Sequence, residues 1–240
     1  MKEPFRFTFN NLRKEYQGIL AAGYTVVTCA EYLTIKEEVS ANNKILVNRV
    51  DIDISCKKAK KIALLFNELE IKGTFFVRLH ADEYNPFSFE NYRCLKFIRD
   101  TGHEIGYHSE VVDESAIWGE DAETCLLRDC EILGRMLGIK VKGVASHNGM
   151  TGLNNLDFWK NRSPDHFGLL YEAYDQNPSF NLFNTSFYIS DSNWTYWKCY
   201  ENGVQKRDDY RSPSKHIRDG HALVYLLIHS DTYYDEHFYE

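Results

Sequence analysis

Ile45-Leu46-Val47-Asn48-Arg49-Val50-Asp51-Ile52-Asp53 is a largely apolar run that closes on two aspartates one residue apart. In a β-strand successive side chains point to opposite faces, so Asp51 and Asp53 leave such a strand together. Two carboxylates held side by side repel unless a cation, a proton or hydrogen-bond donors compensate. The run therefore predicts a strand whose end carries a metal or an acid–base site. The competing reading is a pair of acids on a solvated strand edge.

Outward from this run, helical and extended patterns alternate. Upstream, Phe9 to Ala22 has helical spacing and is stopped by Gly23, and Tyr24 to Thr28 is β-like. Downstream, Ser55 can cap a helix from Cys56 to about Ile71, with Ala59, Ile62, Ala63, Phe66 and Leu69 as its buried stripe. Gly73 to Val77 reads as a short buried strand, and Ser88 can cap a helix that ends near Gly102. His103 to Ser109 is extended, Ala122 to Leu137 is helical up to Gly138, and Val141 to His147 is extended again. From 148 to 185 the pattern dissolves into aromatic and Asn-rich loops, before two late strands at Phe187–Ser190 and Ala222–Ile228. Strands alternating with helices at this spacing imply βαβ units and a parallel sheet in an α/β fold. With no linker-like stretch and no internal repeat, residues 1–240 are expected to form a single domain.

An apolar fraction of 43% with 15% aromatics indicates a folded chain. A formal charge of −7 argues against a nucleic-acid surface, which is usually basic. Six cysteines (Cys29, Cys56, Cys94, Cys125, Cys130 and Cys199) show no C-x-x-C pairing, and most fall in helical patterns as small packing residues. Met1 to Arg6 has no apolar core of a signal peptide, and no stretch approaches the roughly 18 apolar residues of a membrane span. The expectation is a reduced, cytoplasmic protein with no membrane span. The sequons at Asn184 and Asn193 would then be chance matches.

Ligands of parallel α/β barrels gather at the carboxyl ends of the strands. Those ends carry Asp51 and Asp53, then His108, then His147, then Asp191, and last His229. Strand parity puts Glu104, Gly106 and His108 on one face, with His103 and Tyr107 on the other. Neutral imidazole and carboxylate suit zinc and similar divalent ions, which in catalytic sites take about three protein ligands and a water.

Thr74-Phe75-Phe76-Val77 followed by Gly102-His103-Glu104-Ile105-Gly106-Tyr107-His108 resembles the polysaccharide deacetylase superfamily, carbohydrate esterase family four. The resemblance covers about Ile45 to His108 and thins afterwards to the blocks around His147, Asp191 and His229. It implies a distorted (β/α) barrel of fewer than eight strands, namely seven, and a zinc-dependent hydrolase that removes acetyl groups from a sugar. It makes Asp51 the base, Asp53 and His108 metal ligands and His229 the general acid. Asp191 would orient His229 or touch a sugar hydroxyl. The family's second metal histidine, four residues after the first, is replaced by Val112, and its Arg-x-Pro motif is absent. A third ligand must then come from His147, Asp113 or Glu110. The chain resembles divergent members in bacterial surface-polysaccharide gene sets. The missing histidine also leaves open an inactive barrel that binds a saccharide or a partner enzyme.

His103 has the opposite parity to His108, which points to a structural role. His80, His166, His216, His221 and His237 have no partner discernible from sequence. Trp194, Tyr196 and Trp197 are either a sugar platform or ordinary packing.

Overall fold

Nine residues, Lys44–Ile52, form the long strand on which the sheet is centred. The computed structural model describes residues 5–174, 180–192, 194–237 and 239. In chain order the strands are β1 (Tyr24–Val27), β2 (Lys44–Ile52), β3 (Thr74–Val77), β4 (Glu104–Ser109), β5 (Gly143–Ser146), β6 (Tyr171–Glu172), β7 (Phe187–Ser190), β8 (Lys198–Glu201), β9 (Val204–Gln205) and β10 (Leu223–His229). The helices are α1 (Phe9–Ala21), α2 (Cys29–Ile35), α3 (Cys56–Glu68), α4 (Phe89–Asp100), α5 (Val111–Trp118), α6 (Ala122–Leu137), α7 (Leu182–Thr185) and α8 (Pro213–His216).

The sheet runs β6-β5-β4-β3-β2-β10-β7-β8-β9, with β1 also on β2. From β6 to β7 every pairing is parallel, and β8 and β9 extend the β7 edge as antiparallel strands. The parallel part of the sheet from β6 to β7 has seven strands, and the distorted barrel expected from the sequence is not closed by a ladder. The sheet has ten strands and is open, because no ladder joins β6 to β7 among the described residues. Side chains meet across that gap instead. Tyr171 of β6 stacks on Phe180 at 4.5 Å, and the Tyr174 hydroxyl lies 3.2 Å from that of Tyr188 in β7.

Alternation along the strands sorts residues into two cores. Leu46, Val50, Ile52, Phe75, Ile105 and Ile228 face the helices, whereas Ile45, Val47, Phe76, Tyr188, Tyr225 and Leu227 fill the inner face. Burial on both faces is what makes a parallel strand read as a nearly continuous apolar run. The inner face needs room for its rings at two glycines. A Cβ at Gly106 would come within 2.5 Å of the Phe76 ring, and one at Gly143 within 2.1 Å of the Tyr171 ring.

One edge of β2 pairs with β10 throughout. The other pairs with β1 from Lys44 to Val47 and with β3 from Arg49 to Ile52. Asn48 sits at the change of neighbour. Its Oδ1 accepts from the Tyr16 hydroxyl at 2.6 Å, and its Nδ2 donates to the Lys72 carbonyl at 3.0 Å.

Predicted helix starts coincide with side-chain caps at Ser55 and Ser88, and Gly138 ends α6 in the left-handed conformation. Helix α3 stops at Glu68, short of the expected Ile71. Helices α2 and α5 and strands β6, β8 and β9 are additions to the sequence reading. Helix α2 carries a full capping box between Thr28 and Glu31. No cysteine is in a disulfide, and five of the six are buried. No helix among the described residues is long and apolar enough to cross a membrane.

Candidate metal and acid–base site at the strand ends

The parallel register brings the carboxyl ends of β2, β3, β4, β5, β7 and β10 to one side of the sheet. Asp51 lies opposite His229 on neighbouring strands, and Asp53 follows just past the end of β2. On the inner face β2 presents Ile45 and Val47 to the core, then Arg49, then Asp51. Arg49 is buried under the Tyr174 ring, 4.6 Å from its centroid. Its Nε and Nη2 donate to the two oxygens of Asp51 at 2.8 and 2.7 Å. Burial opposes ionisation of Asp51, but Arg49 and then His108 outweigh it and hold the carboxyl below its ordinary range.

His108 is the hinge of the cluster. Its Nδ1 donates to the Ala145 carbonyl at 2.8 Å, and its Nε2 lies 3.3 Å from Asp51 Oδ2 and 3.4 Å from Asp53 Oδ1. Asp53 Oδ1 is buried and accepts no hydrogen bond. Despite burial, Asp53 is held well below the usual carboxylate range by His108, His229 and His147. His147 leaves β5 beside His108, with ring centroids 5.0 Å apart, and its Nδ1 donates to Glu110 Oε1 at 2.9 Å. Each imidazole thus has Nδ1 engaged, which leaves Nε2 as its remaining ligand position. One ligand atom each from Asp53, His108 and His147 lies within 4.8 Å of the other two.

Glu110 and Asp113, the other candidates for a third ligand, are committed elsewhere. Glu110 Oε1 also accepts from Arg78 Nε and Nη2 at 3.1 and 2.9 Å, and Arg78 Nη1 donates to the Asp53 carbonyl at 2.9 Å. Glu110 is therefore a brace behind His147, although its Oε2 has no partner. Asp113 accepts from the amides of Met150 and Thr151, from the Thr151 hydroxyl and from Asn155. It anchors the loop after His147, and Asn155 also receives the Val112 amide.

On the opposite flank His229 Nδ1 donates to Asp191 Oδ1 at 2.6 Å, and its backbone amide donates to the same carboxylate. Burial would discharge His229, but Asp191 pushes it up to about 9 and keeps it an imidazolium. Its Nε2 lies 3.9 Å from Asp53 Oδ2. Asp191 is fully buried, and these hydrogen bonds tie its carboxylate to His229. Asp231 Oδ2 accepts the amides of Asp53 and Ile54 at 3.2 and 2.9 Å and fixes the turn that carries Asp53. Burial pushes Asp231 up to about 6.

Arg49, Arg78 and Asp231 were missed in the sequence as parts of the site, and Glu110 was named only as a candidate ligand, not as the partner of His147 and Arg78. Arg49 could have been found, since it shares the parity of Asp51 and Asp53.

Other expectations resolve away from the strand ends. His103 is buried against Phe75 and accepts from the Gly73 amide, and burial drives it down to about 4, so it is a neutral packing residue. Trp197 is buried against Phe5 and Phe7, which removes it from any sugar platform. His80, without an evident partner in the sequence, lies 2.8 Å from Asp129, and His216 lies 3.6 Å from Asp209. Asn184 is hydrogen-bonded to Asn181, and the sequon asparagine Asn193 lies outside the described residues.

No protein-family profile matches the chain, and no curated protein does. Among solved structures it is similar to a CE4-family pseudoenzyme from Bacillus anthracis, at 17% identity and a TM-score of 0.47. It is also similar to a mutant CE4-family pseudoenzyme with restored enzymatic activity, at 16% identity and a TM-score of 0.48. Each alignment covers 80% of this chain, which spans 60% of the mutant and 58% of the wild-type protein.

Proposed function

We propose that this chain is a metal-dependent hydrolase that removes an acetyl group from an acetylated sugar. The observation that carries the reading is the convergence of Asp53, His108 and His147, with a buried carboxylate oxygen that has no hydrogen-bond partner. One carboxylate and two imidazoles fit a catalytic zinc or a similar divalent ion, with Asp53, His108 and His147 as the residues that hold it. When bound, the ion polarises the acetyl carbonyl and lowers the pKa of a water.

The remaining chemistry belongs to the chain. Asp51 is the proton acceptor, kept ionised by Arg49. His229, protonated at neutral pH and aimed by Asp191, donates its Nε2 proton to the departing amine or alkoxide. Glu110 fixes the His147 ring, and Arg78 ties Glu110 to the Asp53 backbone. Exposed Phe87 and Phe89 follow β3, and Trp118 ends the helix after β4. These segments leave the sheet on the site's side, where aromatic faces suit the C–H faces of a sugar.

A second reading, a saccharide-binding protein without activity, draws on the same Arg49–Asp51 pair, because a carboxylate with both oxygens held is a weak base. Metal analysis of the purified chain, followed by acetate release from N- and O-acetylated sugars, separates the two. Bound zinc lost in Asp53→Ala and His108→Ala, together with acetate release, supports the hydrolase. Zinc content unchanged by both substitutions sinks the ligand assignment. No metal and no acetate from any substrate favours the binding protein.

A further inference from the structure

At the far edge of the sheet a second group of ligand-type side chains converges, and no step of the chemistry above uses it. Cys199 lies on β8, Asp209 on the loop after β9, and His216 at the end of α8. One ligand atom from each lies within 4.8 Å of the other two. We propose that Cys199, Asp209 and His216 form a structural metal site for a thiophilic divalent cation such as Zn2+.

His216 is the strongest pointer. It is 0% exposed, and neither Nδ1 nor Nε2 has a hydrogen-bond partner. A buried polar atom left unsatisfied forfeits its hydration with nothing in return, which is why native interiors rarely keep one. Nε2 faces Asp209 Oδ1 at 3.6 Å, while the ring packs on Phe187 at 4.8 Å. Burial also lowers the His216 pKa, so the imidazole is in the neutral form a metal needs.

The other two members fit the same role. Cys199 is 1% exposed, and its Sγ lies 3.6 Å from the Asp209 carbonyl. Asp209 is gripped by Arg211, whose Nε and Nη2 donate at 3.0 and 2.8 Å, and Arg211 is held in turn by Asp219. Such an outer partner fixes a ligating carboxylate and does not displace the metal. Zinc bonds of roughly 2.0–2.3 Å place tetrahedral ligand atoms about 3.3–3.7 Å apart, so closure from separations within 4.8 Å asks for a movement of about 1.5 Å at most. Sulfur, imidazole and carboxylate together select zinc over calcium or magnesium. A cleft of about 1150 Å³ lined by Asp209, Ser212 and Lys215 reaches the group at its carboxylate member.

A Cys–His–Asp nucleophile is the rival arrangement of these three residues. The burial of Cys199 rules it against itself, since a substrate carbonyl has no approach to the sulfur. On metal binding the Cys199 thiol gives up one proton and the thiolate takes its place in the coordination shell. The ion would clip the β8–β9 edge to α8, which already leans on α1 through the Ser214 amide and Glu15.

The test uses the full chain, stripped with a chelator and titrated with Co2+. The strand-end site contains no sulfur, so a thiolate-to-cobalt charge-transfer band reads the second site alone. Among the described residues no other cysteine belongs to such a group. The expected result is a band that persists in the Asp53→Ala/His108→Ala double variant and disappears in Cys199→Ser. Should Cys199→Ser fail to fold, the titration on His216→Gln decides, again by loss of the band. A band that survives Cys199→Ser, or a wild-type chain with no band at saturating Co2+, overturns the proposal.

Discussion

Arg49 grips both oxygens of Asp51 from two residues back on the same strand, and both side chains are shut off from solvent. The pair is a charge relationship internal to one strand, so no other element has to arrive for it to form. Removing one partner of a buried ion pair typically costs about 3–5 kcal/mol, because the other charge is left uncompensated. Arg49→Met should therefore destabilise the fold by that order, and Arg49→Met/Asp51→Asn should recover part of the loss. Urea denaturation of the three proteins at neutral pH checks the order.

Glu110 holds the His147 ring by Nδ1 while Arg78 holds Glu110. Loss of such a brace usually weakens metal binding about 10–100-fold. Glu110→Gln should show that loss in competition with a chromophoric chelator. Asp113→Asn, which acts on the loop after His147, should cost stability more than affinity.

His229 and Asp191 separate proton transfer from metal binding. His229→Gln should lower kcat for acetate release by about 10²–10⁴-fold, with zinc stoichiometry unchanged. Zinc lost along with activity would make His229 a ligand and not the acid.

His103 predicts a stability trend with pH. Its folded pKa of about 4 lies below the ordinary imidazole value of 6.5, so folding favours the neutral ring. The contribution is full above the unfolded pKa and is lost as pH falls from 6.5 towards 4. The depression is worth on the order of 3 kcal/mol. The His103→Gln variant should lose less stability than wild type over that interval in denaturant titrations.

The sequence exposed what periodicity encodes. The buried strands announced themselves as apolar runs, strand parity paired Asp51 with Asp53, and the carboxyl-end rule for parallel strands brought His108 to the same end of the sheet. His147 could be named because it ends a strand, although only the register shows it beside His108. What stayed hidden was non-periodic. Glu110, on the turn from β4 to α5, carries no pattern that ties it to Arg78. Strands β8 and β9 are short and half polar, so alternation could not separate them from loop. The Thr28–Glu31 capping box was a readable signal for α2 that went unused. The open sheet was illegible because the Tyr171, Phe180 and Tyr188 rings join distant segments by side chains and not by a ladder.

Asn48 gives β2 a division of labour. β10 lines one edge on both sides of it; on the other edge the strand leans on β1 below Asn48 and on β3 above, where the carboxylates sit. Helix α2 likewise meets the sheet at the starts of β3 and β4, through the Cys29 and Ala30 amides on Thr74 and Glu104. The N-terminal cover is thus mortared to the end of the sheet remote from the chemistry. A graft, a fusion or a docking partner that reshapes this cover acts on the strand-end carboxylates only through the length of the strands, β2, β3 and β4. The molecule can be remodelled at its base while its working face keeps its geometry.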